Sequence, residues 1–95
     1  MKVKILNLEE ACKLYDLIAE FFPTEEVKAI EAIHSMVVKM GEDTYFKMLE
    51  IFTGEDRDSL VSMNPDERLS ILFTGWEQNK IFELPRLKQD GFCDR

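Results

Sequence analysis

The chain is short of the residues on which most site chemistry is built. It has one histidine, His34, so no imidazole pair is available for a metal. Its two cysteines, Cys12 and Cys93, lie far apart in sequence and match no zinc spacing; without a motif around them, reduced thiols are the expected state. The four glycines, Gly41, Gly54, Gly75 and Gly91, are isolated, which excludes a glycine-rich phosphate loop. Ser35, Ser59, Ser62 and Ser70 lack a nucleophile-elbow context. Basic charge is scarce: 12 Lys and Arg stand against 19 Asp and Glu, a net charge of -7. Phosphate binding needs a concentrated basic surface, so no nucleic-acid partner is expected. No apolar run approaches the ~18 residues of a membrane span. The opening MKVKILNLEE has neither the apolar run nor the cleavage site of a signal peptide, so the expected location is cytoplasmic, with no membrane partner. No catalytic residue, metal ligand or cofactor site is expected, and the chain does not read as an enzyme.

What the sequence does have is helix punctuation. Its 95 residues suit one domain, and 45% hydrophobic with 33% charged residues is a soluble globular composition. Pro23, Pro65 and Pro85 all fall at plausible boundaries. A first helix is expected from about Leu8 to Phe22, capped by Asn7 and stopped by Pro23. A second runs from about Glu25 to Met40, capped by Thr24 and stopped by Gly41. A third spans about Thr44 to Thr53 and ends at Gly54, and a short fourth lies near Arg57 to Met63. The fifth begins at Pro65 after an Asn64 cap, with Glu67 three residues beyond the cap. Its apolar line through Leu69, Leu72, Phe73 and Trp76 fails further on, where Asn79, Lys80 and Glu83 fall on the core side. Either Gly75 or Asn79 marks a kink, or Ile81 and Phe82 use a second face. A sixth short helix is expected from Pro85 to Gly91, with Gly91 as a left-handed stop and Phe92 folding back onto Leu87. The fold class is therefore all-α, a small bundle of five to six helices in a single helical domain, residues 1–95. Residues 2–6, KVKIL, alternate like a short strand, but a lone strand needs a partner or stays merely extended.

Acidic doublets open the apolar stretches: Glu9-Glu10, Glu25-Glu26, Glu42-Asp43, Glu55-Asp56 and Asp66-Glu67. They could be metal ligands or acid–base pairs. Negative charge in a first helical turn, where it complements the dipole and the unpaired N–H groups, is the far commoner reason for such placement. The run from Glu55 to Asp58 lacks the alternating ligands and late glutamate of a calcium loop.

The first two helices are apolar over too wide an arc. On the first, Leu8, Ala11, Cys12, Tyr15, Ile18, Ala19 and Phe22 form a main stripe, which Leu14, Leu17 and Phe21 widen to roughly 220° at ~100° per residue. On the second, Val27, Ile30, Ile33, Val37, Val38 and Met40 are widened by Ala29, Ala32 and Met36. His34 falls inside this arc, where a buried, hydrogen-bonded histidine or one at an interface rim is the commoner role. Either both helices are covered on two sides or part of the surface is an interface. So short a chain has few elements left to cover them, which favours an interface and a homo-oligomer. Trp76, large and a common anchor in protein contacts, joins that reading. The expected partner-binding residues are Leu14, Leu17, Phe21, Met36, Trp76 and Phe82.

Residues 45–54, YFKMLEIFTG, then a short helix with Leu60 and Met63, then NPDE and the closing GWEQNKIFELPRLKQDGF, resemble the small tail assembly chaperones of long-tailed bacteriophages and prophages. The matching positions are Thr53, Gly54, Pro65, Asp66, Glu67, Gly75, Asn79, Ile81, Gly91 and Phe92; Trp76 and Pro85 depart from the pattern. The resemblance clearly covers about half the chain. It implies a non-catalytic protein whose partners are the tape-measure protein and the tail-tube protein. Such chaperones coat the helical tape measure until tube subunits polymerise around it, and they are absent from the finished particle. Many are made in two lengths by a ribosomal frameshift. The competing reading is an acidic inhibitor or antitoxin-like protein that mimics nucleic acid. A mimic needs its carboxylates gathered on one face, whereas here they are spread along the chain and interleaved with Lys28, Lys39, Lys47 and Lys80.

Overall fold

The computed structural model describes residues 2–23 and 27–89. Among these residues the fold is all-α, with six helices in the order α1 (Leu8–Ile18), α2 (Ala29–Lys39), α3 (Glu42–Thr53), α4 (Arg57–Val61), α5 (Pro65–Gln78) and α6 (Leu84–Gln89). Short 3-10 turns follow α1 and precede α6. α3 is the central element: it packs on α1, α4 and α5, while α2 packs on α5 and α1 on α6. Phe46, Met48, Leu49 and Phe52 of α3 are buried in one core with Leu14, Ile18, Ile33, Met36, Leu60, Leu72, Trp76, Ile81 and Leu84.

Local chemistry accounts for most boundaries. Asn7 caps α1 by accepting from the Glu10 amide at 2.8 Å, and the Glu10 carboxylate accepts in return from the Asn7 amide at 3.2 Å. Asp56 caps α4 through the Ser59 amide, and Asn64 caps α5 through the amide of Asp66. The acidic doublets open helices as expected at Glu9-Glu10, Glu42-Asp43 and Asp66-Glu67, and Asp56 is itself a cap. Glu25, Glu26 and the expected Thr24 cap lie outside the described residues. So do Gly91 and Phe92. α2 begins at Ala29, four residues later than expected, after Lys28, which makes no side-chain cap bond. α3 begins two residues earlier than expected, because Gly41 takes the N-cap position and leaves Glu42 and Asp43 free to sit in the first turn.

The two uncertain segments explain one another. α5 ends at Asn79, and Lys80 turns the chain through a left-handed conformation with φ 51 before Ile81, which is buried. Asn79, not Gly75, is therefore the break. The Asn79 side chain accepts from the Leu6 amide at 2.7 Å and donates to the carbonyls of Lys4 at 3.1 Å and Gly75 at 3.0 Å. The Lys4 amide in turn donates to the carbonyl of Phe52 at 2.8 Å. Residues 2–6 thus form no strand. They are a strap tied at Lys4 and Leu6 to the ends of α3 and α5 instead of to another strand.

Cys12 corrects a second expectation: it is disulfide-bonded and not a reduced thiol. The absence of a local motif does not exclude a bond to a distant sulfur. Cys93, the other cysteine, lies outside the described residues.

Candidate functional site

The expected binding residues do not form a surface. Leu14 and Met36 are fully or almost fully buried, and Trp76 is only 1% exposed. Trp76 stacks on Phe22 with centroids 5.5 Å apart and meets Phe82 edge-on at 5.2 Å. Tyr15 closes the cluster against Phe22 at 5.5 Å. These rings lock the end of α1 to the end of α5 and the turn beyond it. Leu17, Phe21 and Phe82 are half-buried against the same core. The correction has one physical cause. A wide apolar arc reports that two directions are apolar, not which of them faces inward. The residues treated as the widening of α1 and α2 are the core side.

The residues treated as the main stripe of α2 are in part the outer side. Ala32, Ile33 and Met36 face inward, and Ile30 and Val38 are left 50% and 84% exposed. Ile30, Ile33 and His34 line a cleft of about 280 Å³ with Asp66, Leu69, Ser70 and Phe73 of α5. A wider depression of about 690 Å³ continues it, lined among others by Val37, Met40, Glu42, Tyr45, Val61, Pro65, Arg68 and Leu69, with Asp66 and Leu69 shared between the two. The N-terminal half of α2 faces the middle of α5, and its C-terminal half faces the start of α5, so the two helices run in opposite directions. The floor between them is apolar. His34 is exposed at its edge, and Asp66 and Ser70 mark the opposite rim.

Helix starts fix the polar groups around this floor. Asp66 is held in the first turn of α5 by Asn64 and Pro65, and Glu42 lies in the first turn of α3. Arg68 lines the wider depression with its guanidinium engaged by the chain itself. Its Nη1 donates to the carbonyls of Leu60 at 3.2 Å and Val61 at 3.4 Å, and its guanidinium lies over the rings of Tyr45 and Phe46. The carboxyls with perturbed pKa lie away from the floor. Glu10 is held below the usual carboxylate range by the Lys4 ammonium and then by the Asn7 amide, Asp43 by Lys47 and then Arg57, and Asp56 by Ser59. Among the described residues no group of three His, Cys, Asp or Glu is arranged to hold a metal. An apolar floor with a polar edge can bury an apolar side of another molecule.

Most positions that carry the chaperone resemblance are joints of the fold. Gly54 ends α3 at φ 74, with Thr53 bonded to the Leu49 carbonyl. Pro65 opens α5, Gly75 lies against Phe52, Asn79 clamps the strap, and Ile81 is buried. Comparison of the chain with protein-family models, curated proteins and solved structures finds no match.

Proposed function

We propose that this chain is a non-catalytic binding protein that covers an apolar helix of a partner. In that role it acts as a tail assembly chaperone, keeping the helical tape-measure protein soluble until tail-tube subunits polymerise around it. The observation that carries the reading is the open apolar cleft between α2 and α5, where Ile30 remains exposed beside Leu69 and Phe73; Val38 lies outside the cleft lining, exposed on the outer face of α2 about 80° round from Ile30 at ~100° per residue. Grooves of this kind accept amphipathic helices through anchors one turn apart. The resemblance of residues 45–92 supplies the partner's identity. The net charge of -7 keeps a complex with a long apolar helix dispersed. The place of action in this reading is the cytoplasm of the cell carrying the phage or prophage. A reducing compartment would open the bond at Cys12, so alkylation of thiols in freshly lysed cells checks that part of it.

The test is co-expression with the tape-measure and tail-tube proteins from the same source. The chain should hold the tape measure soluble in several copies per molecule and should be missing from assembled tails. The paired variant Ile30→Gln, Val38→Gln alters two exposed positions, so it should fold normally and fail to hold the tape measure. A tape measure that is soluble without the chain, or a chain that persists in mature tails, would overturn the reading. The nucleic-acid mimic draws less support: Glu10, Asp43 and Asp56 are committed to caps and ion pairs within the chain.

A further inference from the structure

We infer that the α2–α5 cleft is specific for a basic-flanked amphipathic helix, one whose apolar stripe is bordered by Lys or Arg. This rests on the reading that the cleft binds a helix, and it adds the chemistry of that helix. The charge around the floor is one-sided. Asp66 lines both halves of the cleft, and Glu42 lies at the end where α2 gives way to α3. Glu31 is exposed beside Ile30, and Glu77 is exposed one turn beyond Phe73. Among the described residues Arg68 is the one Lys or Arg in the lining, and its Nη1 is already engaged by the carbonyls of Leu60 and Val61. Lys39 sits about 180° round α2 from Ile30, on the side away from the opening, whereas Glu31 is about 100° from Ile30, at ~100° per residue. An occupant that placed carboxylates along these rims would meet like charge. One that placed ammonium or guanidinium groups there would gain a charge pair on each side.

The same charges argue against a second copy as the occupant. Two copies joined face to face about a two-fold axis would bring acidic rims onto acidic rims, and each chain carries a net charge of -7. The cleft runs from Ile30 to Met40, roughly 15 Å at ~1.5 Å per residue, which is about three turns of a docked helix. Ile33 and Val37 on α2, and Leu69 and Phe73 on α5, each lie one turn apart and are spaced to receive anchors at that interval.

Two synthetic helices of about 18 residues, sharing one leucine stripe and differing only in Lys or Glu flanks, test the inference with the full chain. Binding is read by fluorescence anisotropy at low salt. The Lys-flanked helix should bind at least about tenfold more tightly than its Glu-flanked twin and should weaken as salt rises. The triple variant Glu31→Gln, Asp66→Asn, Glu77→Gln should lose roughly tenfold for the Lys-flanked helix only. The Ile30→Gln, Val38→Gln pair should lose binding of the Lys-flanked helix while keeping the wild-type circular dichroism spectrum. Equal binding of the twins, or a triple variant that binds like the wild type, overturns the inference. A dimer that binds neither helix and dissociates in the Ile30→Gln, Val38→Gln variant overturns it in favour of a second copy. If the Lys-flanked helix fails while the tape measure is still held soluble, the charge rule falls and the chaperone reading stands. Loss of both brings down the two together.

Discussion

Replacing Gly75 by alanine should destabilise this protein, although helix propensity argues the opposite. Gly75 lies within α5, where alanine is favoured over glycine by about 1 kcal/mol. The obstacle is Phe52. A Cβ on Gly75 would stand 2.6 Å from Cδ1, 2.8 Å from Cε1 and 2.8 Å from Cγ of that ring. Ordinary carbon contacts are ~3.5–4.0 Å. Phe52 cannot swing clear, because it is fully buried on the central helix and Cγ is the near end of its ring. Inserting a methyl into a core costs about 1–3 kcal/mol; approaches this short to a ring that cannot move belong to the upper part of that range, about 2–3 kcal/mol, so after the propensity gain the net loss should be about 1–2 kcal/mol. Urea denaturation should show a lower midpoint with an unchanged slope. In a Phe52→Leu background the obstructing ring is gone, and Gly75→Ala should become neutral or stabilising. A raised midpoint for Gly75→Ala alone, or the same penalty in both backgrounds, would refute the close approach of α3 and α5.

Trp76→Ala should cost about 3–5 kcal/mol of folding stability, as loss of a buried aromatic does. Trp76→Phe should cost much less, because the buried indole N–H has no hydrogen-bond partner among the described residues; paired denaturation curves check both. Asn79→Ala should cost about 1–2 kcal/mol by stranding the Leu6 amide and Lys4 carbonyl, and amide exchange at Leu6 should accelerate in step. Glu10, Asp43 and Asp56 bind protons less readily folded than unfolded, since their ordinary values of 4.5, 3.8 and 3.8 are lowered in the structure. Their contribution is therefore complete above the unfolded pKa and lost as pH falls through the folded one. The urea midpoint should hold down to about pH 5 and fall below about pH 4; a midpoint that rises on acidification would contradict these pairings.

Element by element, the fold was legible where side chains speak to their own backbone. Asn7, Asp56 and Asn64 announce α1, α4 and α5, and Gly54 announces the end of α3, because capping and left-handed stops are settled within a few residues. The strap was not legible in this way. Its partners, Phe52 and Asn79, are tens of residues away, and the alternation in KVKIL does not carry over to the structure: Val3 and Leu6 turn inward while Ile5, which alternation would place with Val3, turns out. Asn79 looked like a flaw in the apolar line of α5. Its polar side chain pairs the Leu6 amide and the Lys4 carbonyl of the segment that crosses it.

The site was misplaced for a related reason. Periodicity measures how wide the apolar arc of α2 is, and that measurement was sound. It has no reference direction, so Met36 and Val38 looked alike as members of one arc. The direction is supplied by α5: Leu72 and Trp76 are buried with Met36 in the core, while Ile30 faces the open cleft beside Leu69 and Phe73 and Val38 is left exposed on the outer face of α2. The excess that pointed to an interface is therefore real on α2, but on α1 it is absorbed by the core and the ring cluster of Tyr15, Phe22, Trp76 and Phe82. The case for self-association narrows to the same α2 face that serves a partner helix. One surface cannot do both at once, so any dimer formed through Val38 should dissociate as a Lys-flanked helix is titrated in. Size-exclusion chromatography across that titration reads the competition directly, and a dimer that binds the helix without dissociating would place the two contacts on different faces.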